Sequence, residues 1–196
     1  MKDGITPLEP GKIASIVTFL EMRKPPSVAA SKPLETLSLR KVPDPDLNWY
    51  RNVFRATGEN WLWFSRLLLD DFSLAATIQS PRVDVFAVEF EGRDGGLLEL
   101  DRRPFREVEI AFLGLKPELI GRGVGKWLLS EALSISWSHQ PDRVTVHTCT
   151  LDHPSALAFY MSLGFTPYKR AVEIADDPRV TGTLSKSVAP HVPMLA

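Results

Sequence analysis

Along the first half of the chain, the pattern of apolar and polar positions predicts one strand followed by helices. An extended apolar run from Ala14 to Met22 predicts a strand, and the prolines between positions 25 and 33 end regular structure after it. Apolar side chains then recur at spacings of three and four between Asp46 and Ala56, which is typical of one face of a helix. A second helical segment is predicted from Trp61 to Asp71, and Ser73 is predicted to cap a short third helix.

The second half predicts a β-hairpin and then strands and helices in alternation. The segment from Val108 to Leu115 is apolar at seven of its eight positions, with Glu109 as the exception, so we expect a central strand covered on both faces. From Val124 onward, apolar residues recur at spacings of four, four and three, which predicts an amphipathic helix. The remaining predictions are hairpin strands at 83–90 and 97–100 around a turn at 91–96, strands at 143–150 and 165–174, and a helix at 154–163 that ends at Gly164. Strands before and after helices indicate one α+β or mixed α/β domain.

Composition and charge narrow the class of protein. A chain of 196 residues with 44% hydrophobic and 24% charged residues suits one folded domain rather than a disordered chain. The 23 basic and 24 acidic side chains balance, which argues against binding nucleic acid through bulk positive charge. The single cysteine, Cys149, has no partner for an internal disulfide, and no apolar run resembles a signal peptide or a membrane span. We therefore expect a cytoplasmic protein with no membrane or nucleic-acid partner.

The feature most typical of a ligand site is a glycine-rich loop, PELIGRGVGKW, from Pro117 to Trp127, where a buried strand leads into a helix. The first turn of a helix has unpaired amide N–H groups and a positive dipole end, and glycines let an anion approach them, so the loop predicts a phosphate site. A dinucleotide fingerprint is excluded because its third glycine would fall on Lys126. A Walker A loop is excluded because Ile120 stands where a glycine is required and Trp127 where Ser or Thr is required.

These residues resemble motif A of the GNAT superfamily of N-acetyltransferases, which reads Gln or Arg, two variable residues, Gly, one variable residue, then Gly or Ala. Gly123 and Gly125 match this pattern, whereas Ile120 replaces the usual Gln or Arg. A second superfamily signature, Asn-x-x-Ala-x-x-Φ-Tyr-x-x-x-Gly-Phe, where Φ is apolar, is matched downstream except that His153 replaces the asparagine. The matching residues are Ala156, Phe159, Tyr160, Gly164 and Phe165. The resemblance covers residues 83 to 170.

The resemblance implies a GNAT-like fold, in which a central mixed, mostly antiparallel sheet is flanked by helices. It implies binding of acetyl-CoA and acetylation of a primary amine by direct transfer in a ternary complex. In this superfamily the fourth and fifth strands separate, so that backbone groups near Leu113 to Leu115 pair with the pantetheine arm, and Gly114 is consistent with a bulge there. The residues that the resemblance assigns to acetyl-CoA are Leu113, Gly114, Leu115, Ile120, Gly121, Arg122, Gly123, Val124, Gly125, Lys126 and His153.

Two residues are candidates for proton transfer. An alkyl ammonium group has a pKa of about 10, so a base must remove a proton before the amine attacks. Glu109 is the lone carboxylate of an apolar strand, where desolvation is expected to favour its neutral form, and in some superfamily members a glutamate at this point is the base. Glu99, Asp101 and Glu107 are weaker alternatives. The resemblance makes Tyr160 the acid that protonates the leaving thiolate.

The first eighty residues follow the superfamily only in the order of their elements and are predicted to form the acceptor side. Six aromatic residues cluster there, and one or two of them are expected to line the acceptor pocket: Trp49, Tyr50, Phe54, Trp61, Trp63 and Phe64. The expected acceptor is a small-molecule amine or a peptide, and a homodimer is compatible with the prediction. His147, Cys149 and His153 match no zinc-ligand spacing, so no metal is predicted. Three alternatives stay open: transfer of a longer acyl group, transfer to a protein amino terminus, and a catalytically silent protein that binds acyl-CoA.

Overall fold

The computed structural model describes residues 3–27 and 30–195, and these contain seven strands and four α-helices. The strands are β1 (Lys12–Met22), β2 (Leu37–Lys41), β3 (Val83–Phe90), β4 (Arg93–Asp101), β5 (Glu107–Leu115), β6 (Arg143–Cys149) and β7 (Thr166–Asp176). The helices are α1 (Leu47–Gly58), α2 (Asp71–Ile78), α3 (Val124–Ser138) and α4 (Ala156–Ser162). No helix within this part of the chain combines the length and the apolar composition needed to cross a bilayer.

The strands form one mixed sheet in the order β2-β3-β4-β5-β6-β1-β7. Neighbouring strands are antiparallel except β5 and β6, which are parallel. The strand nearest the amino terminus therefore lies inside the sheet, between β6 and β7. The predicted fold class, a mixed and mostly antiparallel sheet flanked by helices, is confirmed.

The parallel pair β5 and β6 separates partway along its length. The two strands are paired only from Glu107 with Arg143 to Ile110 with Val146. Beyond Ile110, β5 continues to Leu115 without pairing with β6. A gap therefore opens between the two central strands, and it points toward the loop that precedes α3.

A β-bulge lies in β5 at the point where this gap begins. Glu99 of β4 is opposite Phe112, whereas the next residue, Leu100, is opposite Ile110, so Ala111 is the extra residue. The sequence placed a bulge at Gly114, and that placement is wrong. A bulge leaves one residue out of the ladder and turns the strand, which here reorients β5 at the head of the gap.

Helices cover the two faces of the sheet and bury separate cores. On one face, α3 and α4 pack on the central strands, and the predicted stripe of α3 is confirmed by the full burial of Val124, Leu128 and Ala132. On the other face, α1 and α2 pack on β3 and β4 around Tyr50 and Phe54. Among residues 3–27 and 30–195, no helix lies on this second face over β6, β1 and β7, and the segment after β7 covers it only around Ile13.

Two local predictions in the first half of the chain are wrong. The segment from Trp61 to Asp71 is not a helix: it contains short 3-10 turns at Glu59–Trp61 and Ser65–Leu67, and Leu62 between them has a left-handed backbone with φ 54°. Helix α2 follows at Asp71, and its cap is Asp70, whose carboxylate accepts the N–H of Ser73 at 2.7 Å. Asp70 is a favoured N-cap residue, and Ser73 is the donor to that cap rather than the cap itself.

The predicted strands differ less from the structure than the predicted helices of the first half do. The hairpin turn is shorter than predicted, because β4 begins at Arg93, directly after the left-handed residues Glu91 and Gly92. Strand β2 was not predicted, since its five residues are too short to establish a period-two pattern. It forms the edge of the sheet next to β3.

The carboxyl-terminal segment returns to the sheet after β7 and is held by a buried arginine. The Arg179 side chain is 2% exposed and pairs with Asp177, with Nη2 at 2.7 Å from Oδ2. The same guanidinium donates to the carbonyl oxygens of Ala189 and Val192. Residues of this segment then pack on Ile13 and Leu62.

Candidate active site

The glycine loop has the backbone geometry of an anion site. Gly121 and Gly123 have φ values of 78° and 79°, the left-handed region that only glycine adopts without strain. Gly123 is the N-cap of α3, a helix of 15 residues, and no side chain caps the amides of its first turn. A Cβ added to Gly121 would meet nothing within 4 Å, so the loop faces open space. Bare first-turn N–H groups beside open space are suited to a phosphate group.

The side chains of the loop are arranged around this backbone site. Ile120 is 41% exposed, and Lys126 is exposed in the first turn of α3. The Arg122 guanidinium stacks over the Phe90 ring at 5.2 Å from its centroid. Val124 is fully buried, so this residue can contribute only its backbone. The loop therefore combines exposed cations with free amides.

The gap between β5 and β6 exposes backbone groups of β5. The N–H of Lys116 donates to the carbonyl of Gly95 at 2.8 Å, toward β4. Because backbone groups alternate along an extended strand, the N–H groups of Leu113 and Leu115 point away from β4 and into the gap. The superfamily's fourth strand corresponds to β5 here and its fifth to β6, so the predicted separation is confirmed. It leaves two amides on the path from the glycine loop to the bulge.

Trp63 spans the gap on the face that carries α1. Its ring lies against Gly114, where an added Cβ would be 3.0 Å from the ring and 3.0 Å from the Cβ of Thr57. The indole Nε1 donates to Oδ1 of Asp152 at 2.9 Å, in the loop after β6. Gly114 therefore serves the close approach of Trp63 and not a bulge.

Glu109 and His147 meet where the strands part. Oε1 of Glu109 lies 3.0 Å from Nδ1 of His147. The Glu109 side chain is 31% exposed, so the expectation of a buried carboxylate is wrong: the strand leaves it open to solvent and a partner on β6 faces it. The hydrogen bond that the protonated imidazole donates to Glu109 raises the pKa of His147 above its ordinary value, against an opposing effect of burial. Sequence reasoning missed this pair because the register between β5 and β6 is not visible in local pattern.

The other acidic candidates for a base are each held by arginine. Glu99 is fully buried, accepts the Tyr50 hydroxyl and pairs with Arg66 at 2.6 Å. Asp101 and Glu107 are held similarly, by Arg103 and Arg143, each at 2.6 Å. An arginine bonded to the carboxylate oxygens occupies the positions that a substrate ammonium would need. Of the four carboxylates considered from the sequence, Glu109 is the one that is paired with an imidazole.

Tyr160 lies in the core beside the gap. It is 8% exposed, and its ring contacts those of Phe159 and Phe165 at centroid distances of 5.3 and 5.9 Å. Burial is the main cause that raises the pKa of Tyr160 well above that of a free phenol, with a contribution from the charge of Asp152. The hydroxyl therefore stays protonated over the whole physiological range, as an acid must.

His153 and the aromatic cluster have other contacts than those predicted. His153 packs edge-on against Trp61 at 4.9 Å, and its Nδ1 accepts the N–H of Ser155 near the start of α4. Tyr50 and Phe54 are fully buried in the core, so neither lines an acceptor pocket. Within residues 3–27 and 30–195, no three or more His, Cys, Asp or Glu side chains are grouped to hold a metal ion.

Several solved structures with the same fold are described as GNAT proteins. A putative GNAT acetyltransferase from Novosphingobium aromaticivorans superposes with a TM-score of 0.57 at 16% identity, over 85% of this chain and 68% of that one. A GCN5-related N-acetyltransferase from Sphaerobacter thermophilus superposes with a TM-score of 0.62 at 16% identity, over 86% of this chain and 52% of that one. An aminoglycoside acetyltransferase from an uncultured soil metagenomic sample, in complex with trehalose, superposes with a TM-score of 0.54 at 19% identity, over 70% of this chain and 93% of that one.

The chain thus spans about half to two thirds of the length of the first two of these structures. No curated protein sequence matches it. The model of the acetyltransferase (GNAT) family matches residues 47–165, well over half of the chain. The match includes the glycine loop, the separated strands and α4. The chain therefore belongs to the GNAT acetyltransferase family and is an acyltransferase.

Proposed function

We propose that this protein binds acetyl-CoA and transfers the acetyl group directly to a primary amine in a ternary complex. The observation that carries the proposal is the continuous track from the uncapped first turn of α3, past the free amides of Leu113 and Leu115, to the bulge at Ala111. Backbone N–H groups are free at both parts of this track, while Trp63 crosses it on the α1 side, and free amides suit a ligand with a diphosphate at one end and an amide-rich arm behind it.

The residues present fit acetyl-CoA. In the proposal, the amides from Gly121 to Gly125 hold the pyrophosphate, and Arg122 and Lys126 supply positive charge beside it. Leu113 and Leu115 pair with the pantetheine arm. When bound, acetyl-CoA supplies an activated acyl carbonyl. We place no contact to it on His153, whose observed partners are Trp61 and Ser155.

Proton transfer is assigned to the residues at the head of the gap. One proton must leave the acceptor ammonium before attack, and Glu109 and its partner His147 are the groups positioned to receive it. The departing thiolate needs a proton in return, and Tyr160 is proposed to donate it because burial keeps its hydroxyl protonated. Thiol and phenol pKa values ordinarily differ by about 1.5 units, and burial raises the pKa of Tyr160 and widens that difference, so this acid assists without being indispensable.

The acceptor is proposed to be a small-molecule amine or a peptide. One structural neighbour is named an aminoglycoside acetyltransferase, which makes aminoglycosides a sensible class to test here. A homodimer, a cytoplasmic location and the division into an acceptor half at 1–80 and a coenzyme half at 83–170 stay predictions. The first half also reaches the coenzyme side, since Pro33 lies 3.6 Å from where a Cβ of Gly123 would be.

Release of free thiol from acetyl-CoA tests the proposal, measured against amines, amino acids, polyamines, aminoglycosides and peptides. Turnover with acetyl-CoA and an amine is the expected result. The same panel run with longer acyl-CoA donors and with peptide amino termini separates the alternative transferases. Coenzyme binding by calorimetry without turnover on any acceptor would instead identify a silent acyl-CoA-binding protein.

A further inference from the structure

His147 and Glu109 lie together at the head of the gap. The last pair between the strands is Ile110 with Val146, so His147 is the first residue of β6 beyond the paired region. Val108, Ile110 and Val146 pack in the core on the α3 side. Because side chains alternate along a strand, Glu109 and His147 project from the opposite face, where none of the four described helices covers β6. The pair is therefore open to an acceptor at the point where the strands part.

The geometry of the pair leaves one ring nitrogen available. Nδ1 of His147 faces Oε1 of Glu109 at 3.0 Å, so a proton on Nδ1 is held by the carboxylate and Nε2 is the basic nitrogen. The His147 side chain is 44% exposed, and the Phe19 ring of β1 lies at 5.8 Å from the imidazole. A carboxylate that fixes the tautomer and orientation of an imidazole is a recurrent arrangement for proton transfer.

Charges from each neighbouring element act on this imidazole. Glu109 contributes from β5, Glu173 from β7 and Asp152 from the loop after β6, and all three favour the protonated ring. On the side of β1 the imidazole meets the uncharged Phe19 ring, and Nζ of Lys169 on β7 lies 4.8 Å from the centroid of that ring. Burial opposes the three acids and limits their effect. An imidazole ordinarily titrates close to neutral pH, where general-base catalysis is most effective.

We propose that His147 is the general base of the acetyl transfer and that Glu109 is the residue that positions it. This assignment rests on the proposed function. The acceptor ammonium gives one proton to Nε2 of His147, and the resulting amine attacks the thioester carbonyl. As the C–N bond forms and the C–S bond breaks, Tyr160 donates its proton to the thiolate, and the second proton of the nitrogen passes through solvent to the Tyr160 phenolate. The net products are the acetylated amine, free thiol and one proton released by His147 to solvent.

Two substitutions separate this assignment from one in which Glu109 is itself the base. His147→Gln should lower kcat/KM on the order of 100-fold and abolish the acidic limb of its pH profile. Glu109→Gln keeps a hydrogen-bond acceptor for Nδ1 and removes the negative charge. It should cost on the order of tenfold, keep an acidic limb and move that limb to lower pH, because the pKa of His147 falls when the carboxylate is lost.

Thr145→Val is the matched control. Thr145 lies two residues before His147 on β6 and donates to Glu107 at 2.9 Å, so its loss also removes one hydrogen bond between β5 and β6. If the Glu109–His147 contact only joins the strands, the three variants should lose stability alike and retain turnover. We expect Thr145→Val to retain the wild-type pH profile.

An NMR titration of the His147 ring gives a readout apart from turnover. The pKa of His147 should fall in Glu109→Gln and stay unchanged in Thr145→Val. Unchanged turnover in His147→Gln would overturn the assignment, as would an acidic limb that survives in His147→Gln and disappears in Glu109→Gln. Absence of wild-type turnover on every acceptor is a different result, since it removes the proposed function and the assignment with it.

Discussion

Gly123 shows how one residue can set the chemistry of the coenzyme side. Its left-handed backbone, with φ 79°, brings the chain into α3 with no side chain over the first-turn amides. A residue with a side chain would strain this turn and cover the amides that an anion needs. Anion binding at this position therefore depends on the absence of a side chain from Gly123.

Gly123→Asp should lower the affinity for acetyl-CoA by on the order of tenfold or more, because a carboxylate would take the place of the phosphate at the positive end of α3. Isothermal titration calorimetry measures the change. Gly92→Asp is the matched control: Gly92 has φ 74° and open space around it, but lies in the β3–β4 turn. Equal affinity in the wild type and Gly123→Asp would remove the glycine loop from the site.

Tyr160 is a second residue whose role is decided by its surroundings. Burial keeps its hydroxyl protonated, and the residue also packs in the core. Tyr160→Phe should lower kcat by about tenfold with unchanged coenzyme affinity, because only the acidic proton is lost. Steady-state kinetics and calorimetry measure the two effects, with the half-exposed Tyr168→Phe as the control. A lower melting temperature with unchanged kcat would leave Tyr160 a core residue only.

At the scale of elements, the packing of Trp63 joins three parts of the site. The indole ring lies on Gly58 of α1 and Gly114 of β5, and its Nε1 bonds Asp152 beyond β6. The separated strands are thus bridged by a side chain from the irregular segment between α1 and α2. A substitution that displaces Trp63 would therefore disturb the gap, although no coenzyme contact is assigned to the segment between α1 and α2.

Gly114→Ala should reduce the free energy of unfolding by about 1–3 kcal/mol, because its Cβ would press on the Trp63 ring and on Thr57. Urea denaturation measures this loss. Gly125→Ala is the control, since its Cβ would make an ordinary contact at 3.8 Å with Phe159 and alanine favours the helix. Combining Gly114→Ala with Trp63→Phe should recover part of the loss, and strict additivity of the two losses would argue against this contact as the cause.

At the scale of the whole molecule, β1 and the segment after β7 pack together at one side of the sheet. Strand β1 lies between β6 and β7, and the segment after β7 packs back on Ile13 through the buried pair of Arg179 and Asp177. A buried ion pair whose partner is removed leaves an uncompensated charge, which is far more costly than the pair itself. The stability of the sheet therefore depends on residues distant from the glycine loop.

Arg179→Met should lower the free energy of unfolding by about 3–5 kcal/mol at neutral pH. Hydrogen bonds from Arg179 hold the pKa of Asp177 in the folded protein below its ordinary value. The ion pair therefore contributes its full stabilisation at any pH above the ordinary carboxyl pKa. This contribution is lost as the pH falls through the lowered pKa of the folded state. The difference in melting temperature between wild type and variant should thus be large at pH 7 and become smaller below about pH 4. If the difference in melting temperature is the same at every pH, the loss of stability comes from packing and not from charge.

Much of this molecule could be predicted from local sequence. The alternation and helix periodicity gave β1, α1, β3, β5 and α3 within a few residues, because burial of one face requires a period that shows in the chain. The glycine spacing, together with the resemblance, led to the acetyltransferase family. Short β2 and the turns from Glu59 to Asp70 were missed or misjudged, since neither has a length over which a period is established.

The tertiary structure alone decided which distant residues meet. Glu109 and His147 are 38 residues apart, and Trp63 and Asp152 are 89 apart. Their meeting depends on the order of strands, on the point where β5 and β6 separate and on the bulge at Ala111. Local propensity determines which segments are strands and which are helices. Register and strand order are set by the packing of the whole sheet, so the partner of the predicted base appears only in the fold.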